Sequence, residues 1–197
     1  MGQKNQMTKK NNTQLKEYIK SVVLSGAELK ITIEDDNGLQ VGHLRPIIRK
    51  DIYDDVLLQT LTKWRKDNMD MFLTNFTATP ERTRKYLEKI TSDSSAQTLF
   101  MVEERGKLVG QVGWKDLTEL DAIMDNGMKG ERTDTPKLLI YAHKALAKWL
   151  FLNTEIKFIY GWLFADNIPG IMMNKQIGWS EWIRHPLIKS SAEEEWA

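Results

Sequence analysis

Residues 132–179, RTDTPKLLIYAHKALAKWLFLNTEIKFIYGWLFADNIPGIMMNKQIGW, decide the fold. The join Thr135-Pro136-Lys137-Leu138 predicts a helix start. Thr135 carries a hydroxyl suited to capping, and Pro136 is favoured at the first helical position because the N–H it lacks would have no partner there. Leu138, Ala142, Leu146 and Trp149, with Ala145 and Leu150 beside them, recur at helical spacing over about 17 residues. The apolar run at 156–164, IKFIYGWLF, predicts a strand buried on both faces. Ala165-Asp166-Asn167, a short helical stretch to Gln176 and a final extended piece, Ile177-Gly178-Trp179, follow. A helix N-terminus aims unpaired N–H groups and positive partial charge at whatever lies in front of it. The start at Pro136 is therefore expected to be a phosphate site.

Composition narrows the class. The 197 residues fit one compact domain with extensions, long enough for a real core. The 28 basic and 27 acidic residues nearly cancel, which gives no reason to expect a nucleic-acid partner. There is no cysteine, so disulfides and thiolate metal sites are excluded. His43, His143 and His185 show no metal-ligand spacing, and no metal is expected. No apolar run is long enough to span a bilayer, so no membrane partner is expected. The first 20 residues hold five lysines without an apolar core segment, unlike a signal peptide. The expectation is a cytoplasmic protein, monomeric or homodimeric.

Along the chain, residues 1–28 read as an N-terminal extension, disordered over about the first dozen, with a short helix over 15–24. Residues 29–186 form the domain, and 187–197 an acidic tail. LKITIE at 29–34 and LQVGHLRPI at 39–47, joined through Asp36-Asn37-Gly38, predict a hairpin. A helix starts at Asp51, with Ile52, Val56, Leu57, Leu61 and Trp64 on its apolar face. Thr79-Pro80-Glu81 repeats the cap-plus-proline signature and opens a second helix, with Thr83, Leu87 and Ile90 turned inward. The link between them, MDMFLTNFT at 69–77, either lines a pocket or packs under a loop. TLFMVE (98–103) and LVGQVGW (108–114) form the clearest hairpin, and DAIMDNGMK (121–129) a further strand. The order β-β-α-α-β-β-β-α-β-α-β, with one crossover helix between strands, implies an α/β fold with a largely antiparallel sheet.

This order, and its residues from Leu44 to Trp179, resemble the GCN5-related N-acetyltransferase superfamily. LRPI followed by an aspartate-started helix resembles the first strand and helix of these enzymes. LFMVEERGKLVGQVGW resembles their central hairpin, and WLFADNIPGIMMNKQIGW their C-terminal signature. FLTNFTATPERTRKYLE and DTPKLLIYAHKALAKWLF resemble the ribosomal-protein N-terminal acetyltransferase branch, including members of amino-sugar and surface-polysaccharide pathways. The resemblance implies a mixed, largely antiparallel sheet flanked by helices. It also implies acetyl-CoA as cosubstrate and a small-molecule primary amine, an amino sugar either free or nucleotide-linked, as acceptor. Acetylation of a protein N-terminus is the alternative within enzymes; a non-catalytic binding module is the alternative outside them.

The resemblance assigns roles by position. The pantetheine arm lies along the strand 121–129, with Gly127, Met128, Lys129 and Gly130 at its far end, and Asn167 matches the family asparagine that binds that arm. Arg132, Thr135, Lys137 and Leu138 stand at the pyrophosphate site. Two departures stand out: DTPKLL at 134–139 replaces the family's spaced glycines, and Asn174 stands where many members carry the tyrosine that protonates the leaving thiolate. From the residues themselves, Asp125 is the first candidate base and Asp121 the second. Four residues apart on a strand, they share a face. Glu119 and Glu131 are lesser candidates. His143, outside the apolar stripe of its helix, is expected to be a partly exposed structural residue, and His43 to face the acceptor. Trp64, Trp114 and Trp162 are candidates for stacking on a ligand. The acceptor region carries both charge signs (Arg65, Lys66, Asp67, Asp70, Glu81, Arg82, Arg84), which leaves the acceptor's charge open.

Overall fold

The computed structural model describes residues 11–72, 74–181 and 183–187. Six strands form one sheet in the order of the chain: β1 (Ile31–Glu34), β2 (Gln40–Pro46), β3 (Gln97–Glu104), β4 (Lys107–Lys115), β5 (Asp121–Lys129) and β6 (Phe158–Gly161). Every neighbouring pair is antiparallel except β5 and β6, which run parallel and are joined across helix α4 (Leu138–Asn153). A parallel pair needs such a crossover because a tight turn cannot reverse the chain twice.

Strand alternation sorts the core into two layers. Phe100 and Val102 of β3, Val112 and Trp114 of β4, and Ala122 and Met124 of β5 face α4 and helix α1 (Asn12–Ser25). Leu99 and Met101 face the other way, onto helices α2 (Asp55–Asp67) and α3 (Pro80–Ser92). The segment read as an N-terminal extension thus supplies core: Leu15, Ile19 and Val23 of α1 are buried in the first layer. Residues 1–10 and the tail beyond 187, expected to be disordered and acidic respectively, lie outside the described residues.

Met128 breaks the alternation of β5. It shares parity with Met124 yet lies in the opposite layer. The register explains this. Gln111 pairs with Met128 and Gly113 with Asp125, so two residues of β5, Asn126 and Gly127, oppose the single Val112. This is a β-bulge, and its extra residue flips the strand's phase. Asn126 holds the left-handed conformation at φ +55° that the bulge requires. The hairpin read at 98–114 and the strand read at 121–129 are both present, the latter with the same bounds.

Several expectations are corrected. The helix after Pro46 begins at Asp55, capped by Asp54; the residues before it form a 3₁₀ turn, Arg49–Tyr53, and Val56 points outward at 74% exposure. Asp51, buried in that turn, pairs with Arg45 at 2.8 Å and accepts from the Ile48 N–H. Thr79 caps α3 as expected, accepting from the Arg82 N–H, with Pro80 at the first position. The same signature at Thr135-Pro136 fails: α4 starts two residues later at Leu138, with Lys137 as its left-handed cap at φ +61°. The strand read at 156–164 is only the four residues of β6. It is not doubly buried, since it closes the sheet as an edge, with Phe158 54% exposed. Ile177-Gly178-Trp179 is not a strand. It ends helix α5 (Ile168–Ile177), Gly178 takes the left-handed cap at φ +106°, and Trp179 packs over Gly161.

Candidate active site

β5 and β6 pair only as far as Met124 and Gly161. From Asp125 onward the β6-side edge of β5 has no strand beside it, and the bulge begins at the same point. A cavity of about 420 Å³ opens there. Its walls come from β5 and α5, from α2 and α3, and from the link between those two helices, including Met71, Phe72, Thr74 and Phe76. The link read as pocket lining or loop packing therefore lines the cavity.

Asp125 is brought into the cavity, on the sheet face turned toward α2 and α3. Its carboxylate accepts from Asn126 Nδ2 at 2.8 Å and Gln97 Nε2 at 3.3 Å, and Lys115 Nζ lies 3.6 Å away. Asp121 is not brought there. It lies about 13 Å back along the strand, where its Oδ1 accepts from the Thr118 hydroxyl at 2.6 Å. Glu131 accepts from the Trp64 indole N–H at 2.9 Å, outside the cavity lining, and Glu119 is outside it too. His43 sits on β2, its Nε2 3.2 Å from Glu103, away from the cavity. Trp64 and Trp114 are fully buried and serve packing, whereas Trp162 is half exposed and lines the cavity.

Sequence reasoning passed over Tyr86. Its hydroxyl oxygen accepts from Gln97 Nε2 and Asn126 Nδ2, both at 3.0 Å. Burial, with the neighbouring Asp125 charge, raises its pKa, so it stays a phenol with its own proton available to donate. Its position on α3, one turn from the inward Thr83 and Ile90, was the only signal, and it marks burial rather than chemistry.

His143 is corrected from partly exposed to buried, at 5% exposure. Its Nδ1 lies 2.8 Å from the Leu139 carbonyl, which fixes that nitrogen as the N–H donor. Burial lowers its pKa, so the ring is neutral and Nε2 is an acceptor. That atom faces the bulge: a Cβ added at Gly127 would lie 2.3 Å from it. Glycine is what lets the ring reach the cavity, which His143 lines.

At the other end, Gly130 lies against the Trp64 ring, and its N–H and that of Glu131 share the Val109 carbonyl at 3.0 Å. Lys129, Arg132 and Lys137 are exposed, Met128 and Leu138 buried. The N–H groups of Asp134 and Thr135 are already engaged by the buried Glu104 carboxylate, at 2.9 and 2.8 Å. Burial works to raise that carboxyl's pKa, but these donors outweigh it and hold it below the ordinary value. This contact ties the segment before α4 to the β3–β4 hairpin. The donors left for an anion are those of the first turn of α4, where Tyr141 N–H makes the first bond, to Lys137 O.

Asn167 caps α5, its Oδ1 accepting from the Gly170 N–H at 2.9 Å, and it lines the cavity. Asn174 lines it too; its carbonyl takes the Gly178 and Trp179 N–H groups. Among the described residues no group of three or more His, Asp or Glu side chains is placed to hold a metal, and no helix is long and apolar enough to cross a membrane.

No protein-family model matches the chain, and no curated protein matches it. Solved structures share its fold. The ribosomal L7/L12 alpha-N-protein acetyltransferase RimL, in complex with coenzyme A, superposes with a TM-score of 0.65 at 11% identity, covering 85% of this chain and 93% of that one. A GNAT-family acetyltransferase from Bacillus anthracis gives 0.59 at 18% identity, covering 85% and 93%. The nucleotide-linked sugar GNAT FdhC, in its apo form, gives 0.56 at 10% identity, covering 85% and 88%. A mixed sheet, one parallel pair parting at a bulge and a crossover helix between its strands give this chain the GCN5-related N-acetyltransferase fold.

Proposed function

We propose that the protein is an acetyl-CoA-dependent N-acetyltransferase acting on the primary amine of a small molecule, with an amino sugar, nucleotide-linked or free, as the leading acceptor. One observation carries the reading. The edge of β5 loses its partner at the same residue, Asp125, that places a carboxylate in the cavity. An extended amide chain such as pantetheine can add to that edge as a strand does, through backbone hydrogen bonds. Acetyl-CoA, when bound, supplies an activated acyl carbonyl. The first turn of α4 with Lys137 and Arg132 would hold its phosphates, since the first-turn N–H groups have no helical partner and both residues are exposed in the segment that leads into it. N–H groups at the bulge from Asn126 to Met128 would donate to the carbonyl oxygen as charge develops. Asp125 would take the ammonium proton, directly or through a water. The phenol of Tyr86, beside Asp125, carries the ionisable proton that Asn174 lacks and would support the departing sulfur through its O–H. The likeness to FdhC, a nucleotide-linked sugar GNAT, supports a sugar acceptor. Likeness to RimL supports a second reading, transfer to a protein N-terminus.

The test is acetyl transfer to a panel of amino sugars, their nucleotide conjugates, polyamines and short peptides, with Asp125→Asn alongside. Turnover of a small amine, reduced roughly 10²-fold or more in Asp125→Asn at unchanged acetyl-CoA affinity, is the expected result. Full turnover by that variant would remove Asp125 as the base, and turnover of peptides alone would favour the second reading.

A further inference from the structure

Two arginines in the cavity have no counter-ion among the described residues. Arg65, on α2, stacks on the link: its guanidinium carbon lies 3.7 Å from the centre of the Phe72 ring and 5.0 Å from that of Phe76. Its Nη2 donates to the Thr74 carbonyl at 2.8 Å and hydroxyl at 2.7 Å. Nε is buried with no acceptor among the described residues. Burial lowers the pKa of Arg65 to about 10, which still leaves it charged at neutral pH. Arg82, at the start of α3, has its guanidinium carbon 5.7 Å from the centre of the Phe76 ring and is exposed. Its Nη1 donates a long hydrogen bond, 3.4 Å, to the Thr77 carbonyl. Neither arginine meets a carboxylate within 4 Å among the described residues, whereas the nearby Arg45 and Arg84 meet Asp51 and Asp55.

The charge of the cavity points the same way. Arg65, Arg82 and Lys115 line it against the single carboxylate of Asp125, and Lys115 already faces Asp125. A partly buried cation without a partner is costly unless something anionic completes it. A guanidinium held flat on aromatic rings presents its remaining N–H groups as a fork suited to a phosphate or carboxylate. Asp125 is near enough to favour the Arg65 charge, so anion and amine would sit within one small molecule's reach.

We infer that the acceptor carries an oxyanion, a phosphate or a carboxylate, seated on Arg65 and Arg82 above Phe72 and Phe76, with its amine directed to Asp125. The direction of the amine rests on the acetyl-transfer reading; the anion seat does not. This assigns the mixed charges of the acceptor region: the arginines at 65 and 82 meet ligand, while Arg84 meets Asp55 and Lys63 meets Asp67.

The test pairs amines that differ only in the anion. Glucosamine 6-phosphate against glucosamine and phosphoethanolamine against ethanolamine form the phosphate arm. β-Alanine against 3-aminopropanol forms the carboxylate arm. Each is titrated calorimetrically with and without acetyl-CoA, and assayed for transfer. The anionic member of one arm is expected to bind and react roughly 10- to 100-fold better. Arg82→Gln, at an exposed position that threatens no packing, is expected to remove most of that preference, and Arg65→Gln the rest, with acetyl-CoA affinity unchanged. The responding arm identifies the oxyanion. Equal binding of charged and neutral members in both arms, or a preference untouched in Arg82→Gln and Arg65→Gln, overturns the seat. Arginine-dependent binding of the anionic member without any affinity for acetyl-CoA would keep the seat and overturn the transfer reading.

Discussion

Gly127→Ala tests the contact on which the bulge depends. The backbone at Gly127 is not in the left-handed region, so alanine meets no conformational barrier there. The obstacle is His143: a Cβ would stand 2.3 Å from Nε2 and 2.7 Å from Cε1, well inside van der Waals contact. The ring cannot swing aside freely, because its other nitrogen is bonded to Leu139 in the same helix and it is buried. Either β5 shifts away from α4 or the imidazole leaves its rotamer. Overpacking of this kind costs about 1–3 kcal/mol. For a chain of this size that is a fall in Tm of roughly 2–12 °C, taking about 2–4 °C per kcal/mol. Thermal unfolding of Gly127→Ala, His143→Ala and the double variant gives the coupling directly. The double variant is expected to be more stable than additivity allows, by about 1–2 kcal/mol, since alanine at 143 leaves room for the new methyl. A shift moving the bulge should also weaken acetyl-CoA binding in Gly127→Ala, and the double variant should recover part of it. An unchanged Tm with strictly additive variants would refute the reasoning.

Three further outcomes are expected. Tyr86→Phe takes away one of the two acceptors that the Gln97 and Asn126 amides share, leaving Asp125, and should cost about 1–3 kcal/mol by denaturant unfolding; it should also lower kcat more than it raises KM if the phenol supports the leaving sulfur. Glu104 titrates below its unfolded value of 4.5, so its contribution is complete above that pH and is lost as pH falls through the lower folded value; stability–pH curves should show that acid limb in the wild type and a flatter one in Glu104→Gln. Thr79→Ala removes the cap of α3 and should cost about 1 kcal/mol, measured by thermal unfolding.

What the sequence revealed, and what it hid, divide along physical lines. Thr79-Pro80 and Thr135-Pro136 carry the same local signature, yet only the first starts a helix. At the second, Glu104, 31 residues away, accepts from the Thr135 N–H and ties the segment to β3, a contact no local pattern encodes. The hairpin and the strand at 121–129 were legible because alternation and turn residues are local. The bulge within that strand was not, although Asn126-Gly127 carries the residue types that permit it. IKFIYGWLF read as a doubly buried strand because hydrophobicity does not say where a sheet ends; here it ends at β6, and the freed edge is the proposed site. His143 lay outside its helix's apolar stripe, and only the missing side chain at Gly127 makes the space that buries it. Asp125 was legible as a carboxylate on the right strand. Its separation from Asp121 was not, since both share a face and only the parting of β5 from β6 distinguishes them. The unpaired state of Arg65 and Arg82 was hidden among a run of both charge signs, because pairing depends on which helix each neighbour faces.

The central claim is that the first turn of α4 and the open edge of β5 still hold a coenzyme A thioester despite a loop without glycines. Calorimetric titration of the protein with acetyl-CoA, and separately with free CoA, tests it most directly. One-to-one binding at micromolar strength, weakened by charge removal at Lys137 and Arg132, is the expected result. No heat of binding up to millimolar ligand would contradict the account, and would leave the acetyltransferase fold in the service of another chemistry.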